Sequence, residues 1–295
     1  RNMKKFSLIF ILFFTNYCLN VFADELIVID NLSEKISEKV VGWIPGEGHT
    51  EASIELRDEG NPDFEILAVR DILAQTNSNY FTQFSLHNSE VESNNRLIGN
   101  IGLGYRFLTE DKSTMLGVNS FLDADFGEGH RRGSIGLEAK KSILDFTFNE
   151  YFKISNQKFP DSVKEQVLSG REYNLSSQVP HMPWATINLQ GYYWENELAT
   201  RDTKGNVYSL EMMLSPSLQL DYNYDDSSNS SIDDEQWVKL SFLYPPKETK
   251  PTLADGFISE EKFVKENMEE KLKEKVRRNN DLVVEIQGSV IITSK

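Results

Sequence analysis

The chain has 295 residues, with 46 acidic against 31 basic side chains, a formal charge of −15, and a single cysteine. That length accommodates one large β domain or two small ones, and the acidic balance argues against a nucleic-acid partner, whose phosphates recruit Lys and Arg. One cysteine excludes an internal disulfide framework.

The N-terminus reads Met3-Lys4-Lys5, then an apolar run from Phe6 to Phe14, then Val21-Phe22-Ala23 ahead of Asp24. A basic start, an apolar run too short to span a bilayer and a small residue at the cut mark a secretory signal peptide over residues 1–23. Translation is expected to start at Met3, after Arg1 and Asn2. Cys18 lies inside the signal without the small-residue box of a lipoprotein, so the mature chain is expected to carry no thiol. Loss of Arg1, Lys4 and Lys5 leaves 28 basic and 46 acidic groups, a net −18. No later run is long enough for a transmembrane helix. A membrane location would therefore require a closed β-barrel, which satisfies every backbone group without helices.

Residues 24–49 are expected to form an N-terminal periplasmic segment. Within it Leu32, Ile36, Val40 and Trp43 recur at helical spacing, predicting a short amphipathic helix over Asp30 to Trp43 that ends before Pro45 and Gly46. Such a helix would cap a barrel mouth or lie at the membrane surface.

Alternation then takes over. From Thr50 to Tyr244 twelve segments read as strands, near 50–57, 63–70, 79–87, 96–107, 115–126, 132–140, 143–154, 172–179, 184–194, 206–214, 217–225 and 235–244. The fourth and fifth are the most regular. Leu97, Ile101, Leu103, Tyr105 and Phe107 share one face, and Asn100, Gly102, Gly104 and Arg106 share the other. Likewise Leu116, Val118, Leu122, Ala124 and Phe126 oppose Gly117, Asn119, Asp123 and Asp125, with Phe121 as the exception. An inner face of Gly, Asn, Asp and Arg against an aliphatic exterior suits a membrane-spanning barrel, though these two strands alone fit a soluble sandwich or lipocalin-like barrel equally well. The membrane reading makes Asn100, Arg106, Asn119, Asp123 and Asp125 lumen-facing, and Leu103, Tyr105, Leu122 and Phe126 lipid-facing.

Elsewhere two features stand out. The second segment is the least regular, and Glu150 interrupts the apolar face of the seventh, predicting a bulge or a rim position. Polar connections at 88–95, 127–131, 155–171, 195–205 and 226–234 alternate with tight turns such as Pro180–Pro183, the layout of an outer-membrane barrel with its long loops outside. The last strand carries Val238, Leu240, Phe242 and Tyr244 on one face, and its aromatic end is like the signal by which such barrels are inserted by the barrel assembly machinery.

Asn100-Ile-Gly-Leu-Gly-Tyr-Arg-Phe107, then Met115-Leu-Gly-Val-Asn-Ser-Phe-Leu-Asp-Ala-Asp-Phe126, then Arg132-Gly133 and Ile135-Gly-Leu-Glu138, resemble the β-domain of the inverse autotransporters, the intimin and invasin family. The resemblance implies an outer-membrane barrel over residues 50–244, followed by a periplasmic linker and a C-terminal segment, residues 245–295, that re-enters the pore. Residues Val276 to Glu285 resemble that family's junction. The helical spacing of Val264, Met268, Leu272 and Val276 predicts a charged helix from Ser259 to about Arg278, with Glu260 and Glu261 at its start and Arg277 and Arg278 at its end to match the dipole. About ten residues follow Glu285, at most one strand, so no passenger is evident. The family's peptidoglycan-binding module is not evident either, and its adhesive activity is not carried over.

No catalytic or metal-binding pattern emerges. His49, His87, His130 and His181 are scattered. Asp123, Asp125 and His130 could suggest calcium or a protease, but the closing glutamate of a calcium loop is missing. The plainer reading places the two aspartates in the lumen, bonded to Arg106 and neighbouring strands. The expectation is thus an all-β transmembrane barrel of about 12 strands with short flanking helices, no enzyme and no cofactor. It would serve as an anchor and translocator in the outer-membrane lipid, displaying loops toward host or neighbouring cells; a small-solute channel is the alternative.

Overall fold

Wherever small or polar residues alternate with apolar ones, the chain forms long antiparallel strands. The computed structural model describes residues 44–57, 61–91, 94–199, 201–228, 234–286 and the backbone of 289–291. Its strands are β1 (Gly48–Arg57), β2 (Asp63–Gln75), β3 (Ser78–Val91), β4 (Asn94–Leu108), β5 (Met115–Asp125), β6 (Arg131–Lys141) and β7 (Leu144–Lys153). There follow β8 (Glu165–Val167), β9 (Ser169–Val179), β10 (Met182–Glu195), β11 (Thr203–Ser215), β12 (Leu218–Ser227), β13 (Glu235–Tyr244), β14 (Val284–Ile286) and β15 (Ser289–Ile291).

All but β8, β14 and β15 form one closed twelve-stranded barrel, each strand pairing with its neighbour in sequence and β1 closing on β13 from Thr50↔Tyr244 to Arg57↔Trp237. Each of the twelve segments expected from alternation is a barrel strand. The irregular second one contains a register shift between Asp71 and Leu73. Glu150 makes no bulge: it keeps regular pairing between Ile135 and Arg171, and its outward place near the loop end of β7, opposite Arg171, fits the rim alternative. The loop expected at 88–95 is largely ladder, because β3 and β4 stay paired as far as Val91↔Asn94. Its polar residues signal exposure rather than a turn.

One barrel end is closed by tight turns, such as those at 142–143 and 180–181, and the other carries the longer connections. In the β7–β9 connection lie a short 3-10 turn (Pro160–Ser162) and β8, which with β14 and β15 forms a separate three-stranded sheet at this loop end.

The barrel is inside out relative to a soluble protein. Most inward positions are polar (Glu, Asn, Ser, Asp and Arg) and buried, whereas Leu56, Phe64, Ile101, Leu103, Val118, Ile135, Leu137 and Ile187 point outward and are more than half exposed. Phe121, the exception to the pattern of β5, points inward across Gly102, where an added Cβ would come within 2.4 Å of the ring.

The helix expected over 259–278 reduces to one turn, α1 (Met268–Lys271), capped by Asn267, whose side chain accepts from Glu269 N. The apolar stripe was real but serves lumen contacts instead of a helical face. Residues 1–23 and the helix expected at 30–43 lie outside the described residues.

Gly102→Ala should overpack against Phe121 and cost about 1–3 kcal/mol. Leu103→Arg, at an outward position 61% exposed, should cost about 2–4 kcal/mol near the bilayer midplane. Reversible urea unfolding in lipid vesicles measures both.

Candidate functional site

The lumen is occupied by the chain's own C-terminal segment. After β13 the chain turns back at the turn end, where Gln178 clamps Val264 by accepting from its N–H (2.8 Å) and donating to its carbonyl (3.2 Å). From α1 onward it runs through the barrel to the loop end, and residues 278–286 are buried without exception.

An extended segment inside a barrel has no strand neighbour, so its backbone needs other partners. Lumen side chains supply them. Asn79 and Arg106 donate to the Leu272 carbonyl (3.3 and 3.2 Å), and Val276 N donates to Gln83 Oε1 (2.7 Å). Asn149 donates to the Arg277 carbonyl (3.0 Å), Arg132 to that of Asn279 and Asn100 to that of Asn280 (2.9 Å each). Asn279 N is shared by Tyr151 Oη and Glu172 Oε1, both at 2.9 Å. A helix would satisfy these groups internally but could not engage the same side chains, which accounts for the loss of the expected helix after Lys271.

Ion pairs fix the thread laterally. Lys275 bonds Glu51 through both oxygens (2.9 and 2.7 Å), and Arg277 pairs with both oxygens of Glu211. Arg278 donates to Asp123 (2.7 Å), which also accepts from Arg132 Nε and Asn100, and the Arg278 guanidinium lies 4.3 Å over the Phe121 ring. Phe121 thus breaks the polar pattern of its strand to form a platform for a thread cation. Asp281 meets His87 at 2.9 Å, and Asn280 donates to Glu65.

Apolar contacts recur along the route. Met268 and Leu272 pack on Leu108 and Met115; Val276 packs among Leu67, Val69, Phe81 and Phe121. Leu282, Val284 and Ile286 join Val91, Ile98 and Val167, while Val283 enters a cluster with Tyr151, Trp194 and Trp237. At the exit β14 pairs with β8, and Glu165 of β8 is held by Arg96 and lies 3.0 Å from His130.

The residues singled out from sequence fall as follows. Asn100, Arg106, Asn119, Asp123 and Asp125 point inward and are buried. Asn100, Arg106 and Asp123 touch the thread. The partner of Arg106 is Glu138, through two bonds of 2.9 Å, and not the aspartates, whose charge is balanced by Arg132, Arg278 and Arg96 nearer to them. Asp125 accepts from the backbone of Gly127 (2.7 Å) and shapes the β5–β6 connection. Asn119 packs over Gly136. Leu103, Tyr105, Leu122 and Phe126 point outward; Tyr105 stacks on Phe107 and meets Tyr80 at a tilt. Phe242 and Tyr244 stand on the outer face of β13, beside the β1 closure. Sequence reasoning passed over Glu172, Tyr151, Glu51, Glu211 and Glu165. For Glu51, Glu172 and Glu211 the only signal was an acidic residue at inward parity, which means little until the thread is in place; Tyr151 and Glu165 carried none.

A model described as the inverse autotransporter β-domain matches residues 21–280. The chain belongs to that family. A protein of Escherichia coli (strain K12) described as an attaching and effacing protein homolog is 25% identical over 165 residues, covering 54% of each chain. Invasin of Yersinia enterocolitica is 30% identical over 135 residues, covering 44% of this chain and 15% of its own length. The chain thus spans about half the length of the first relative and much less of the second. A structure solved in work on the in-meso crystallization of membrane proteins shares the fold, with a TM-score of 0.65 and 17% identity over 81% of this chain and 99% of that one. As an inverse autotransporter β-domain with this barrel, the protein resides in the Gram-negative outer membrane.

Two outcomes test the threaded lumen. Arg278→Met removes one cation from a buried cluster whose single-partner losses cost about 3–5 kcal/mol, tempered here by Arg132. Faster hydrogen exchange over 276–286 with unchanged heat-dependent gel mobility of the barrel is the expected result. The second is acid release at the exit. Burial pushes the Glu165 carboxyl up, but its contacts with Arg96 and His130 outweigh this and hold it at about 2, below the ordinary 4.5. A depressed folded value stabilises fully above the unfolded one, so this contribution should be intact above pH 4.5 and lost as pH falls toward about 2. Hydrogen exchange of residues 165–167 across that window checks it.

Proposed function

We propose that this protein is an outer-membrane anchor and translocator that carries its C-terminal segment from the periplasmic turn end through the barrel to the cell surface. The observation that carries the reading is the thread itself, running from α1 to β14 with backbone and side-chain bonds along the whole route. A segment so thoroughly bonded serves as a plug and as the stem of whatever follows it.

In this reading the barrel is inserted by the barrel assembly machinery through β13, with Phe242 and Tyr244 at its outer face. Leu103, Tyr105, Leu122 and Phe126 lie against lipid. The loop-end connections and the sheet of β8, β14 and β15 face outward and present a surface for adhesion to host or neighbouring cells. Relatives named invasin and intimin support that role. The chemistry is binding and display rather than catalysis. A small-solute channel is disfavoured because the thread fills the lumen that a solute would use.

In planar bilayers the intact protein should show little steady conductance, and deletion after Tyr244 should leave a folded barrel with a measurable pore. A tag after Lys295 should be reached by antibody on intact cells. An intact chain that conducts like a porin, with its tag protected until the outer membrane is broken, would overturn the reading.

A further inference from the structure

Glu285 is the last charged group of the thread that the structure describes, and it is fully buried at the loop mouth. Its carboxylate takes three consecutive backbone donors of the β10–β11 connection: Glu197 N and Leu198 N on one oxygen, both 2.9 Å, and Ala199 N on the other, 2.6 Å. Three amides converging on one carboxylate make a strong and directional anion site.

The connection is built to hold that shape independently of Glu285. Asn196 Nδ2 donates to the Arg201 carbonyl (2.7 Å) and to Thr203 Oγ1 (3.0 Å), Asn196 N donates to Asp202 Oδ1 (3.0 Å), and Tyr193 Oη donates to Asp202. Upstream, Lys275, Arg277, Arg278 and Asp281 set the lumen part of the thread through their own partners, but the exit residues beside Glu285 choose no register so sharply. Leu282, Val284 and Ile286 are aliphatic, share one face, and enter the same apolar cluster. A slip by two residues would exchange one for another at little change in character. By sequence it would also present Val283 or Gln287 to the three amides, and the nearest other acid, Asp281, lies four residues away and is engaged by His87. A slip by one would turn the carboxylate to the opposite face.

We infer that Glu285 is the register stop of the exit strand: beyond the lumen pairs it fixes β14 where its carboxylate meets the amides of Glu197, Leu198 and Ala199. The inference rests on the threaded reading and adds to it the residue that fixes the register of the exit strand. Glu285 is a positioning residue, and its removal should leave the barrel and the lumen pairs intact while freeing β14 to occupy neighbouring registers against β8.

Paired cysteines read the register. β8 and β14 set Val167 opposite Val284, a spacing within disulfide reach in an antiparallel pair. Val167→Cys combined with Val284→Cys reports the native register; Val167→Cys combined with Leu282→Cys or Ile286→Cys reports a slip of two in either direction. The full-length protein in outer-membrane vesicles is oxidised with diamide, with heat-dependent gel mobility confirming the barrel. With Glu285 present, the 167–284 cross-link should dominate. Glu285→Gln turns an amide N–H toward backbone donors and should raise a slipped cross-link about tenfold relative to the native one, the scale of one lost charge-assisted hydrogen bond. Glu285→Asp, which keeps the charge, should fall between the two. Native-only cross-linking in Glu285→Gln would overturn the register stop and leave threading standing. Absence of all three cross-links in a folded barrel would overturn threading, and the stop with it.

Discussion

A polypeptide drawn through a protein interior must find a partner for each N–H and C=O it has lost to water, and in this barrel side chains provide those partners. Each unsatisfied buried backbone group would cost about 1–3 kcal/mol, so a bare apolar lumen could not hold such a segment. The inward Asn, Gln, Arg, Tyr and Glu residues are the solution. Asn79, Gln83, Asn100, Arg106, Arg132 and Asn149 act on the thread as an adjacent strand would, one group at a time.

Charge follows from the same requirement. The thread enters with Lys275, Arg277 and Arg278, and the barrel meets them with Glu51, Glu211 and Asp123. Buried pairs of this kind add little net stability against an apolar alternative, but removal of one partner is expensive. They act mainly as selectors: a thread of the wrong sequence, or the right one misplaced, would leave several buried charges unmatched. The basic residues that fit a helix dipole on paper are in fact lumen counter-ions.

The two ends of the barrel divide the work. At the turn end Gln178 and α1 guide the chain into the pore. At the loop end an aromatic and aliphatic cluster, the β8–β14 pairing and the Glu285 contact close the mouth around the emerging chain. The result is a barrel sealed by its own C-terminal segment, and in the proposed role this segment and the loops are what it would present outside.

The period of two, read from residues such as Leu97 to Phe107 and Leu116 to Phe126, by itself determined the twelve strands and their two faces, whereas the membrane-barrel class rested also on the alternation of long and short connections and on the family resemblance. Side-chain parity is a local consequence of strand geometry and survives any change of partner. The 88–95 stretch is polar yet paired, because pairing depends on backbone groups that polarity does not report; at Glu150 the rim alternative fits and the bulge does not. The C-terminal segment was decided by tertiary structure alone. Val264, Met268, Leu272 and Val276 are spaced as a helix, but only the closed barrel brings Arg106, Gln83 and Asn149 to the backbone between them, and those bonds outweigh local helical preference. Phe121 is the same lesson in one residue: an anomaly along the strand, and a seat for Arg278 once residues far apart in sequence share a lumen.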